Sequence, residues 1–226
     1  HHIIGLWKRD HKKSTSSTNY LQNQPIFSEV LNWNRAIQSH LHPLDSNSQS
    51  YFHSSETGKP FEDCISCGLS LKEDPDLPFL VAKSFKGDEC IFEYAICEHC
   101  RSNMAQEFSD ESQQALATFF TERVRLNERS QFLSPINVIE PWIRHCAACD
   151  TPRNKTKSFS LGGILLGDTM IYDPYPLCLC GDCEEEIQSL LSHQTLRAWD
   201  DFVQTNFDCP PEYYRDLPTN RRPALL

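Results

Sequence analysis

The spacing of apolar positions along this chain changes several times, and each change predicts an element. From Ser28 to Leu41 they recur at helical intervals (Val30, Leu31, Ile37 and Leu41, with Trp33 widening the face). Ser28 stands where an N-cap belongs, and Pro43 stops the pattern. Asp45 to Lys59 is rich in Ser, Asn, Gln and Gly and reads as a linker. From Leu77 to Phe85 and from Cys90 to Ile96 the runs are those of strands, carrying Val81, Phe85, Ile91, Phe92 and Tyr94, with Lys86-Gly87-Asp88-Glu89 as the turn between them. After Cys97 the helical period returns. Met104, Ala105 and Phe108 make one short face, and Ser109 caps a second helix whose stripe is Leu116, Phe119, Phe120 and Val124. Residues 127–143 are broken by Pro135 and Pro141 yet hold Phe132, Ile136, Val138, Ile139 and Trp142. That is too apolar for a free linker, so part of it is expected to pack on its neighbours or pair as a strand.

The pattern then repeats. Cys64-x-x-Cys67 and Cys146-x-x-Cys149 lie 82 residues apart, and Cys97-x-x-Cys100 and Cys180-x-x-Cys183 lie 83 apart. At the latter offset Met104 meets Ile187, Phe108 meets Leu191, Ser109 meets Ser192, Leu116 meets Trp199 and Phe119 meets Phe202, while the turn Gly87-Asp88 recurs as Gly167-Asp168. The chain carries an internal duplication.

Eight of the eleven cysteines fall in these four C-x-x-C pairs, leaving Cys90, Cys178 and Cys209. An odd count with this pairing indicates metal ligation under reducing conditions rather than a disulfide framework. Each pair offers two thiolates from one turn. In the first half 29 residues separate Cys67 from Cys97, and in the second 30 separate Cys149 from Cys180, so each half can close its own four-sulfur site. Four thiolates fill a tetrahedral zinc shell and leave no position for water or substrate, which makes such a site structural. The expected ligands are Cys64, Cys67, Cys97 and Cys100 in one site and Cys146, Cys149, Cys180 and Cys183 in the other, with two zinc ions per chain. Cys178 aligns with Ala95 and is taken as a non-ligand. Cys90 and Cys209 are taken as packing residues, and His99 and His145 as neighbours of the sites.

These readings give an α+β chain with three parts. Residues 1–60 form a polar arm with one helix and a linker. Residues 61–133 and 134–226 form two tandem small zinc domains, each a knuckle, a β-hairpin and helices, the second ending in a Pro/Arg-rich tail. Knuckle, hairpin and a helix that starts at the second ligand pair resemble the treble-clef zinc finger over about Phe61–Leu126 and His145–Phe207. Phe92-Glu93-Tyr94-Ala95-Ile96-Cys97-x-x-Cys100 is similar to the wording of uncharacterised bacterial zinc-binding proteins, a resemblance that brings no activity with it. The 29-residue spacer also resembles rubredoxin, an iron protein, but there both pairs are followed by glycine, whereas here Cys100 precedes Arg101 and Cys183 precedes Glu184.

Charge narrows the functional classes. The net charge is −10, and it is concentrated in the cysteine-bearing parts: residues 61–133 hold seven Lys/Arg against fourteen Asp/Glu, and 134–226 hold eight against thirteen. Such surfaces repel a phosphate backbone, so nucleic-acid binding is disfavoured and stands as the alternative reading, beside thiol redox or metal sensing. The arm bears Lys8, Arg9, Lys12 and Lys13 and reads as a mobile terminus. No nucleophile, phosphate-loop or metalloprotease motif is present, so no catalytic residue is assigned and no enzymatic role is expected. Glu184-Glu185-Glu186 reads as the acidic start of a helix. No apolar run approaches the length of a membrane span. The expectation is a cytoplasmic, zinc-stabilised adaptor that binds a protein partner.

Overall fold

The computed structural model describes residues 41–43, 51–74, 76–133, 136, 138–172 and 174–207. The helix expected over Ser28–Leu41 lies outside these residues except for Leu41, which opens strand β1 (Leu41–Pro43). The basic arm, Cys209 and the Pro/Arg-rich tail also lie outside them.

The two expected strands of the first half form within a residue of the sequence reading, as β2 (Pro78–Lys86) and β3 (Glu89–Cys97). They are joined by a turn in which Gly87 takes φ 60°, a left-handed conformation that costs glycine little. The second hairpin starts with β4 (Ser158–Leu166). Its return strand is broken into β5 (Thr169–Ile171) and β6 (Leu177–Cys180), which pair with the two ends of β4.

The repeat accounts for the break. From Phe79 to Phe159 the offset is 80, and from Cys97 to Cys180 it is 83. Both phenylalanines pair with those cysteines in their own hairpins, so the second return strand carries three extra residues. They leave the ladder between Ile171 and Leu177.

The hairpins do not stand apart in separate tandem domains. Strand β2 pairs with β4 over nine residues, giving one six-stranded sheet in the order β1-β5-β4-β2-β3, with β6 also on β4. The register is informative. Ala82 faces Gly162, and these are equivalent positions of the two repeats, 80 residues apart. Every other pair is symmetric about them, from Pro78 with Leu166 to Lys86 with Ser158. The two halves therefore associate through one self-complementary strand, as the subunits of a two-fold dimer do.

The helices carry the same symmetry. Helices α1 (Glu98–Gln106) and α5 (Gly181–Ser189) follow the hairpins, and α2 (Asp110–Thr118) and α6 (His193–Asn206) follow these. A π-helical turn, Phe119–Arg123, continues α2. Ser109 and Ser192 cap α2 and α6, each accepting a hydrogen bond from the backbone N–H three residues on. The caps also meet each other: Ser109 Oγ is 2.8 Å from Ser192 Oγ. Reciprocally, the Ser109 N–H donates to Thr195 Oγ1 at 3.0 Å and the Ser192 N–H to Ser112 Oγ at 2.8 Å.

Beyond this crossing point each helix packs on the opposite half. The stripe of α2 and its π turn (Leu116, Phe119, Phe120, Val124) joins Leu177, Leu179 and Ile187 of the second half. The equivalent stripe of α6 (Trp199, Phe202, Val203, Phe207) joins Tyr94 and Phe92 of the first. There the Phe202 ring lies 5.7 Å from that of Tyr94, and the Phe207 ring 4.4 Å from that of Phe92. Burying such aromatic faces supplies much of the stability of a small module.

Of two other segments, the first differs from its sequence reading and the second meets one of its two expectations, packing on its neighbours. Residues 51–59 were expected in a linker but pack on the sheet. Phe52 is buried over Gly163, where an added Cβ would lie 2.4 Å from its ring. Ser54 Oγ and the Ser55 N–H donate to Glu93, and Lys83, buried in β2, reaches both Glu93 and the His53 carbonyl. A buried ammonium needs such partners, and this segment provides one of them. The apolar stretch 127–143 forms helices rather than a strand: α3 (Leu126–Leu133) and α4 (Ile139–Ile143), with Ile139, Trp142 and Ile143 fully buried, as its composition requires.

Candidate metal centres

Each half begins with a knuckle that the backbone ties in the same way. The Cys64 N–H donates to the Leu69 carbonyl and the Gly68 N–H to the Cys64 carbonyl, both at 2.9 Å. In the second half Cys146, Thr151 and Asp150 repeat these bonds, both again at 2.9 Å. The residue after the second cysteine must turn left-handed, with φ 68° at Gly68 and 60° at Asp150. Aspartate tolerates this region better than most residues, and it escapes a search for glycine after C-x-x-C. A further bond fastens knuckle to hairpin: the Ile65 N–H donates to the Ala95 carbonyl at 2.9 Å, and the Ala147 N–H to the Cys178 carbonyl at 2.7 Å.

The other two cysteines of each group come from the junction of hairpin and helix. Cys97 and Cys180 are the N-cap residues of α1 and α5 and carry no side-chain capping bond, while Cys100 and Cys183 lie in the first turn. A helix start presents free N–H groups and a positive dipole end, which favours thiolate there. The Cys97 N–H points at Cys64 Sγ at 3.4 Å, and the Cys180 N–H at Cys146 Sγ at 3.3 Å.

The fold thus brings Cys64, Cys67, Cys97 and Cys100 together, and separately Cys146, Cys149, Cys180 and Cys183. Within each group the sulfur atoms all lie within 4.8 Å of one another. A tetrahedron with metal–sulfur bonds near 2.3 Å has sulfur–sulfur edges of about 3.8 Å. Cys67 and Cys97 are 3.9 Å apart, and Cys149 and Cys180 are 3.6 Å apart. Both groups are therefore close to the size of such a shell. Each exposes the second cysteine of its knuckle, Cys67 or Cys149, and buries the first and third.

Without an ion, the two helix-start thiols of each group resist ionisation. Burial pushes Cys97 up to about 11 and Cys180 up to about 12, and it also raises Cys100 and Cys183. Burial opposes ionisation of Cys149 too, yet hydrogen bonding with Thr151 brings that thiol down to about 7. A divalent cation reverses the balance, because bound thiolates are deprotonated by the charge they coordinate.

The neighbouring residues divide clearly. Cys178 is buried in β6, sends its carbonyl to the second knuckle, and falls in neither sulfur group. His99 is exposed on α1 and contacts Asn103 at 3.1 Å, and His145 pairs through its backbone with Pro152. Cys90 is only half-buried, with its sulfur 3.5 Å from a carboxylate oxygen of Glu93.

The residue after the last cysteine differs between halves. Arg101 is buried and makes a two-pronged bond to Glu98, at 2.8 and 2.9 Å. Its equivalent, Glu184, is pushed up to about 8 by burial, against hydrogen bonding with Ser160. The acidic run on α5 is therefore not wholly a solvated face, which the sequence alone did not reveal.

Among the described residues no helix is long and apolar enough to cross a membrane. Compared with known protein families, curated proteins and solved structures, the chain matches none.

Proposed function

We propose that each cysteine group holds one structural zinc ion, two per chain, in a knuckle–hairpin–helix unit of treble-clef type. The chain would then act as a zinc-stabilised adaptor that binds another protein in the cytoplasm. The observation that carries the metal reading is the pair of four-sulfur groups, spaced as tetrahedral edges and scaffolded by equivalent backbone bonds in both halves. Four thiolates per ion leave no open coordination position, so the metals support the fold and any activity falls to surfaces. Unpaired thiols in C-x-x-C turns suit a reducing compartment. The acidic surface favours a basic protein partner over a nucleic acid.

Metal analysis of the purified chain should return about two zinc ions per molecule. One ion, or iron with visible colour, would defeat the reading. Affinity capture from native lysate, read for both protein and nucleic acid, tests the adaptor role. Recovery of nucleic acid with a steep salt dependence would replace it. A thiol-sensing role draws support from the exposure of Cys67 and Cys149. It predicts zinc release at sub-stoichiometric peroxide, and retention of both ions under those conditions removes it.

A further inference from the structure

The duplication offers an internal control, because a surface used by only one half stands out against its counterpart. A groove of about 430 Å³ runs between α2 with its π turn and α5. Its floor is Ala115, Phe119 and Leu190, and its rim carries Glu111, Glu122 and Glu186. Leu190 is 42% exposed, one of few large apolar side chains so open among the described residues. In the other half the repeat places Glu107 where Leu190 stands, Gln194 for Glu111, Asp201 for Thr118 and Thr205 for Glu122. There Gln194 Nε2 donates across the gap to the Glu107 carbonyl at 3.0 Å, tying the two helices together. The same scaffold is thus bridged and polar on one side, and open, apolar-floored and acidic on the other.

We infer that this groove receives a basic amphipathic helix of a partner protein, an inference that rests on the adaptor reading above. The rim has a single cation, Arg123, which is already engaged with Glu186 at 2.9 Å, so the groove presents net negative charge along its length. Glu122 lies eleven positions beyond Glu111 along the helix, about 16 Å. A partner helix of about three turns matches that length, with its apolar stripe on Leu190 and its lysines or arginines against the rim carboxylates. Charge complementarity would set orientation and association rate, and the apolar floor would hold the complex.

The test uses the full zinc-loaded chain and a fluorescein-labelled peptide of about four turns built from Leu, Ala and Lys, with leucines on one face. Two controls accompany it: a scrambled peptide of the same composition, and one with Glu in place of Lys. The helical peptide should bind, weaken with added salt, and lose at least about tenfold in affinity to Leu190→Glu and to Glu122→Lys. Both sites are exposed, and unchanged zinc content and melting would show that these variants are folded. Equal binding of the scrambled peptide, or wild-type affinity in both variants, overturns the groove. Lysate capture with wild type and Leu190→Glu separates the two ideas. A protein partner kept by both leaves the adaptor reading standing and removes the groove, whereas a partner kept by wild type and lost by the variant supports both.

Discussion

Phe119 belongs to the first half of the chain, but its ring is buried against the second. It is 3% exposed and lies in a cluster with Leu177, Leu179, Ile187 and the second group's Cys146, Cys180 and Cys183. Phe119→Ala should therefore loosen the metal centre of the other half. Removing a buried phenylalanine costs about 3 kcal/mol or more, from lost transfer energy and the cavity left behind. At 1.4 kcal/mol per factor of ten, local opening around the second centre should rise about a hundredfold. Hydrogen exchange followed by mass spectrometry reads this directly. Amides near Cys146–Cys149 and Cys180–Cys183 should exchange about a hundred times faster, while those near Cys64–Cys67 keep more of their protection. Phe202→Ala, at the equivalent position, should do the reverse through its contact with Tyr94. If Phe119→Ala instead exposes Cys64–Cys67 and spares the second centre, the helices pack on their own halves and the exchange described above is wrong.

Four shorter predictions follow from single contacts. Asp150→Gly should raise the melting temperature slightly, by up to about 1 kcal/mol of stability, because glycine removes the cost of a left-handed residue, and Gly68→Asp should lower it comparably. Gly163→Ala places a methyl 2.4 Å from the Phe52 ring and should cost about 1–3 kcal/mol in denaturant titration, whereas the same change made in a Phe52→Ala background, where the ring is gone, should cost much less. Glu93→Gln strips the buried Lys83 of its carboxylate and should destabilise by about 3 kcal/mol, with residues 51–59 becoming protease-sensitive. Acidification should release both ions: metal-bound thiolates lie below the ordinary thiol range, so their stabilisation is complete at high pH and is lost as protons compete on the way down. A chelator assay across pH 8 to 4 checks this, and ion loss that increases toward high pH would contradict it.

Much of the local structure was legible because it depends on near neighbours. The β-forming runs from Leu77 to Ile96 around Gly87 announced a hairpin, Ser109 a helix cap, and the C-x-x-C spacing marked the sulfur groups. Asp150 was less visible, since its left-handed turn is the task glycine performs at Gly68. Residues 51–59 were misread as linker because their polar composition is that of a loop. What they do depends on the buried Lys83 and on the bare backbone of Gly163, to which no local pattern points.

By itself the sequence determined that the chain is duplicated, where the cysteines recur and which faces of its helices are apolar. It did not determine which half each apolar face would cover. Leu116, Phe119 and Val124 have the same periodicity whether α2 folds back on its own hairpin or crosses to the other, and β2 has the same run of β-formers whether its outer edge meets water or β4. Only tertiary structure settled these points. An exposed strand edge and an apolar helix stripe each need a partner, and two copies of one unit satisfy both needs at once by pairing Ala82 with Gly162 and crossing at Ser109 and Ser192.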